Sequence, residues 1–151
     1  MRRQDKEIKD TAEIEDIIRR AEVCHIGFAD GDEPYIVPVN FGYHDGQIFF
    51  HCARTGRKLE IIRKNNRVCF EIDIDHEMAI NDVACEWGFR YKSVMGAGQA
   101  FIIDDYDEKC RALDIIMAHY TDRNFTYRED RVADIYIVRI DIESLSGKQA
   151  V

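Results

Sequence analysis

Tyr35-Ile-Val-Pro-Val-Asn-Phe-Gly-Tyr43, His44-Asp-Gly46, Gln47-Ile-Phe-Phe-His-Cys52 and Ala53-Arg-Thr-Gly-Arg-Lys-Leu-Glu60 follow one another without interruption. Together they spell a strand, a tight turn, a returning strand and the start of a helix. Alternation from Tyr35 to Tyr43 suits a strand, and Pro38 denies the ladder one donor, which marks an edge or a bulge. Asp45-Gly46 is a strong hairpin turn, and Gln47 to Cys52 is its partner strand. Past Gly56 the pattern becomes helical, with Leu59, Ile61 and Ile62 apolar and Arg63-Lys64-Asn65-Asn66 closing the segment. The loop between presents Arg54, Thr55, Arg57 and Lys58 at a helix start, where free N–H groups and the helix dipole favour an anion. Two readings stand at this point: solvated cations on the first turn of a surface helix, or an anion site. Cations there oppose the dipole unless an anion is present, and a phosphate monoester suits the cluster better than a carboxylate.

Outward from this stretch the pattern extends in both directions. Asp10 with Glu13 resembles a capping box, and Ile14, Ile17, Ile18 and Ala21 form one face of a helix from Thr11 to Ala21. Val23 to Ala29 is a short strand ending in the turn Asp30-Gly31-Asp32. Arg67 to Asp73 alternates as another strand, residues 75–88 lack periodicity and read as a loop, and Tyr91 to Ile103 is a long strand. Within it Gly96 and Gly98 permit a bend or a close ligand approach. Asp104 to Tyr120 is a helix with Leu113, Ile116, Met117 and Tyr120 on its buried side, and Asp134 to Ile142 is a final strand. About six antiparallel strands and three helices predict a mainly β fold, a barrel with peripheral helices, in one domain spanning residues 1–151.

Composition narrows the function classes. The net charge of −8 opposes nucleic acid and anionic membranes as partners. No apolar run approaches membrane-spanning length. The basic start Met1-Arg2-Arg3 is followed by charged residues rather than an apolar segment, so no export signal is read and a cytoplasmic location is expected. Five cysteines, Cys24, Cys52, Cys69, Cys85 and Cys110, show no Cys-x-x-Cys spacing and read as free buried thiols. His76 beside Glu77 has no third ligand at useful spacing, so no metal is expected. His25 reads as a satisfied core or edge residue.

The segments Tyr35 to Tyr43, Phe49 to Ala53 and Gly56 to Leu59, with Arg67-Val-Cys-Phe-Glu71, Trp87 to Val94, Gly96, Gly98 and Ile140 to Lys148, resemble the pyridoxamine 5′-phosphate oxidase-related flavoproteins. Within that superfamily the chain is similar to the nitroimidazole resistance (nitroimidazole reductase-like) group. The resemblance implies a split β-barrel homodimer with flavin mononucleotide (FMN) in clefts at the subunit interface. Carried over by position, Tyr35, Ile36, Val37, Pro38, Val39 and Asn40 line the isoalloxazine with backbone groups. His51, Cys52 and Ala53 lie beside the ribityl chain or phosphate, Gly56, Arg57 and Lys58 clamp the phosphate, and Ser93 and Val94 meet the flavin from its other side.

The resemblance implies an FMN-dependent oxidoreductase acting on a small planar electrophile, with a nicotinamide as a possible transient electron donor. No Gly-x-Gly-x-x-Gly follows a strand into a helix, so a nicotinamide would stack on the flavin rather than occupy its own domain. His51 is a weak candidate proton donor, a structural hydrogen bond being as good a reading. Cys52 beside two cations is a candidate for a lowered thiol pKa, and Trp87 for a pocket cover or an interface residue. The alternative is a binding protein of the same fold that carries or senses flavin or haem without turnover.

Overall fold

The computed structural model describes residues 4–150; the basic start Met1-Arg2-Arg3 lies outside them. Eight antiparallel strands form one sheet: β1 (Glu7–Ile8), β2 (Cys24–Asp30), β3 (Glu33–Val39), β4 (Gly42–His44), β5 (Gln47–Ala53), β6 (Arg67–Ala79), β7 (Gly88–Ile103) and β8 (Ile135–Ala150). Four helices accompany them: α1 (Thr11–Arg20), α2 (Arg57–Lys64), α3 (Tyr106–Tyr120) and α4 (Glu129–Ala133).

Neighbours run in the order β3-β2-β6-β7-β8-β5-β4, with β1 added to β8. That order forces curvature. Were the sheet flat, its outermost strands β3 and β4 would stand about 29 Å apart, six spacings of about 4.8 Å. Yet Val39 and Gly42 are joined by only three Cα–Cα steps, at most about 11 Å. The sheet therefore closes on itself as a barrel. Inward-facing side chains from its strands, among them Ile26, Phe50, Phe70, Ile72 and Ile140, form one core with Ile17 and Ile18 of α1 and with Leu59 and Ile61 of α2. A second, smaller core lies outside the barrel, where Ala112 and Ile116 of α3 cover Phe49 and Ile137.

The element boundaries differ from the sequence expectation in identifiable ways. The single strand expected over Tyr35 to Tyr43 breaks at Asn40 and Phe41. Phe41 is fully buried, and its N–H donates to Tyr120 Oη at 3.0 Å while Tyr120 donates onward to the Glu22 carbonyl at 2.8 Å. That bond replaces a ladder bond and parts β3 from β4. Of residues 75–88, expected as a loop, 75–79 and Gly88 extend β6 and β7, while 80–87 lie outside the strands as expected. A bulge between Ile74 and Glu77, with Asp75 at φ 58°, interrupts the alternation that would have shown the strand. The last strand also continues past a second irregularity, between Ala97 and Gly98 of its partner, as far as Ala150. Gly96 and Gly98 serve packing at this point: a Cβ on Gly96 would collide with the Phe70 ring, and one on Gly98 with the Asp141 carbonyl oxygen.

Candidate functional site

The register of the β4–β5 hairpin shows where the barrel opens. Gly42 pairs with Phe49, Tyr43 with Ile48 and His44 with Gln47. Continued, that ladder would set Asn40 against His51 and Pro38 against Ala53. No such pairing forms, because β3 leaves the ladder at Phe41. A slot results, with Tyr35 to Asn40 on one lip and the end of β5, His51 to Ala53, on the other.

Gly56, Arg57 and Lys58 close its far end. Gly56 is the N-cap of α2 at φ 130°, a conformation that only glycine adopts without strain, and no side chain caps the helix. Leu59 and Glu60 donate their N–H groups back to the Gly56 carbonyl, which leaves those of Arg57 and Lys58 to face an anion. Arg57 Nη2 reaches Glu33 on β3 at 2.9 Å, and its guanidinium lies 4.8 Å from the centre of the Tyr35 ring. Lys58 forms no ion pair among the described residues and stands near Cys52 on β5, where its charge favours the thiolate. The larger effect at Cys52 is burial, which raises its thiol pKa, so the expectation of a lowered value is overturned. One short helix start thus addresses both lips.

Two cavities flank these residues. The first, about 520 Å³, lies on the outer face of β3, β2 and β6 and is lined by Tyr35, Ile36, Gly27, Arg67 and Cys69. The second, about 480 Å³, is lined by His51 with Leu113, Tyr127, Arg128, Arg131 and Ile135. His51 is exposed there, whereas Cys52 between it and Ala53 points into the core. Ser93 and Val94 lie on β7, three strands from β3, opposite Asp73 and Ile72. Both are buried; Val94 belongs to the barrel core, and β7 is laddered on both sides of it, against Ile72 and Gly147. Within one chain they do not join the slot.

Arg54 is spent elsewhere. It forks onto Asp104 at 2.7 and 2.9 Å, donates to the Ala133 carbonyl and to Tyr136 Oη, and lies 4.1 Å over the Tyr136 ring. Asp104 also receives Lys109, a lysine almost wholly buried in α3. The spacing of α3 gave no hint of that cation, since its position reads as polar. Trp87 is half exposed and donates to the Asn81 carbonyl, bracing the β6–β7 connection. Of the five cysteines, all unpaired, only Cys24 and Cys52 are buried; Cys69 and Cys85 are exposed, which corrects the expectation of buried thiols.

A model of the pyridoxamine 5′-phosphate oxidase family matches residues 10–149. The chain belongs to the pyridoxamine 5′-phosphate oxidase family. Among solved structures, a candidate 5-nitroimidazole antibiotic resistance protein of Bacteroides thetaiotaomicron is 35% identical, covering 95% of this chain and 86% of its own, with a TM-score of 0.85. A flavocytochrome of Azotobacter vinelandii covers all of this chain and 72% of its own at a TM-score of 0.86 and 17% identity. An FAD- and haem-binding protein of Mycobacterium smegmatis covers 96% and 73% at 0.85 and 16% identity. At such identities the last two speak to the fold alone. A comparison with curated protein sequences found no match. Membership in the pyridoxamine 5′-phosphate oxidase family agrees with the observed antiparallel barrel and its opening beside α2. No helix among the described residues is long and apolar enough to cross a membrane.

Proposed function

We propose that the chain is an FMN-binding oxidoreductase that works as a homodimer and reduces a small planar electrophile of the nitroaromatic kind. The observation that carries this reading is the uncapped start of α2, with Arg57 and Lys58 beside it, at the closed end of the slot between β3 and β5. A terminal phosphate monoester carries close to two negative charges, which two cations and free first-turn N–H groups match.

The lip formed by β3 suits a flat heteroaromatic ring. Pro34 and Pro38 lack an N–H, so a strand places them where the ladder can spare a donor. By the two-residue period, Ile36 then turns its N–H and carbonyl toward the slot, where they serve as ring donor and acceptor. Bound FMN supplies hydride and single-electron transfer, and the protein supplies binding, orientation and electrostatics. In this scheme Arg57 and Lys58 hold the phosphate, Ile36 and its neighbours orient the ring, and His51 stands exposed on the opposite lip to deliver a proton to substrate. Ser93, remote from the slot within one chain and beside the core residue Val94, meets the same ligand from the second copy. A nicotinamide stacks transiently as the electron donor.

The test is direct. Purified protein is expected to show flavin absorbance, to release FMN on denaturation, and to be reduced by a nicotinamide and reoxidised by a nitroaromatic. Flavin that binds but does not turn over supports the carrier or sensor reading instead, and protein that neither contains nor takes up flavin contradicts both.

A further inference from the structure

Away from the slot, β2 and β6 assemble metal-ligating side chains that lie far apart in the sequence. His25 pairs with Glu71 across the ladder, and Asp73 follows Glu71 on the same outer face by the two-residue period. His25 Nδ1 lies 3.6 Å from Glu71 Oε2, and donor atoms of His25, Glu71 and Asp73 all fall within 4.8 Å of one another. The bulge in β6 adds a fourth group. With Asp75 in the left-handed region, the chain turns His76 back so that its Nε2 stands 2.6 Å from Asp73 Oδ2. Phe89 stacks against the His76 ring, and Arg20 of α1 pairs with Asp75 and holds the bulge in place. Among the described residues neither Glu71 nor Asp73 forms an ion pair with lysine or arginine; each meets only an imidazole. All four side chains remain partly open to solvent.

We propose that His25, Glu71, Asp73 and His76 form a binding site for a divalent transition-metal cation of the zinc type. Nitrogen and oxygen ligands at about 2.0–2.2 Å around tetrahedral zinc stand about 3.4 Å apart. His25 and Glu71 are already at that separation. Asp73 closes on His25 and Glu71 from within 4.8 Å, and His76 parts from Asp73 by less than about 1 Å and swings toward the other two as the metal takes the place of the proton between them. Two imidazoles with two carboxylates select such an ion over magnesium or calcium, which take oxygen ligands. The four ligands come from one chain.

Calorimetric titration of chelator-treated protein with Zn²⁺ tests it. One Zn²⁺ per chain is expected, weakened about ten-fold or more by His25→Ala or by His76→Ala. His44→Ala, which removes an imidazole on the β4–β5 turn, is expected to leave the affinity unchanged. Should His76→Ala fail to fold, Asp73→Asn reports on the same ligand pair. The proposal is overturned if natively folded protein shows no saturable Zn²⁺ binding, if His25→Ala binds as tightly as the parent, or if His44→Ala loses as much affinity.

Discussion

Arg57 carries the flavin proposal at the scale of single residues, and its contacts show what a phosphate has to displace. Its guanidinium is shared between the Glu33 carboxylate and the Tyr35 ring. Glu33 is well exposed, so water and salt screen the pair and it is weak. Because Glu33 competes with phosphate for the same donors, Glu33→Gln is expected to tighten FMN binding by up to about five-fold. Quenching of FMN fluorescence measures this. Weaker binding in the variant would mean instead that Glu33 holds Arg57 in its working position. Among the described residues Lys58 faces no such competitor, which leaves it the more available of the two cations.

At the scale of elements, Asp104 ties together the end of β5, the start of α3 and the α4–β8 junction. Arg54 first and Lys109 second hold its carboxyl down at about 2, against 3.8 for an unperturbed group. A carboxyl whose folded pKa is depressed contributes stability above its unfolded pKa and loses it as pH falls through the folded one. Acid destabilisation from this group therefore falls between about pH 4 and pH 2. Denaturant unfolding across that range is expected to show a shallower pH dependence in Asp104→Asn than in the parent, and equal slopes would contradict the assignment. Legibility in the sequence divides along the same lines. Helices and strands with unbroken periodicity, such as α1, α2 and β5, were visible because local pattern and tertiary role agree. The β3–β4 break was not, since a distant tyrosine, Tyr120, creates it. Nor was the arm of β6 and β7, whose bulge resets the alternation. The helix start at Gly56, Arg57 and Lys58 is legible because its residues are contiguous, whereas the grouping of His25 with Glu71 depends on strand register.

At the scale of the molecule, the barrel is dressed on one side only. α3 covers the outside of β5 and β8, while the outer face of β3, β2, β6 and β7 lies bare. Across it run the rows Pro38-His25-Glu71-Met95 and Ile36-Gly27-Cys69-Ala97, in which Ile36 is 66% and Met95 59% exposed. A second copy is the proposed occupant of this face, and Ser93 is proposed to meet the neighbour's slot from it. Met95→Glu is accordingly expected to shift sedimentation from dimer to monomer and to weaken flavin binding in parallel; a dimer unchanged by the substitution would place the interface elsewhere. The central claim, that the start of α2 holds the flavin phosphate, is tested most directly by titrating FMN into the Arg57→Ala, Lys58→Ala double variant. Two lost charge-assisted contacts, each on the order of 1.5–3 kcal/mol, predict a fall in affinity of about two orders of magnitude or more with the far-ultraviolet spectrum preserved. FMN affinity equal to that of the parent would contradict the account.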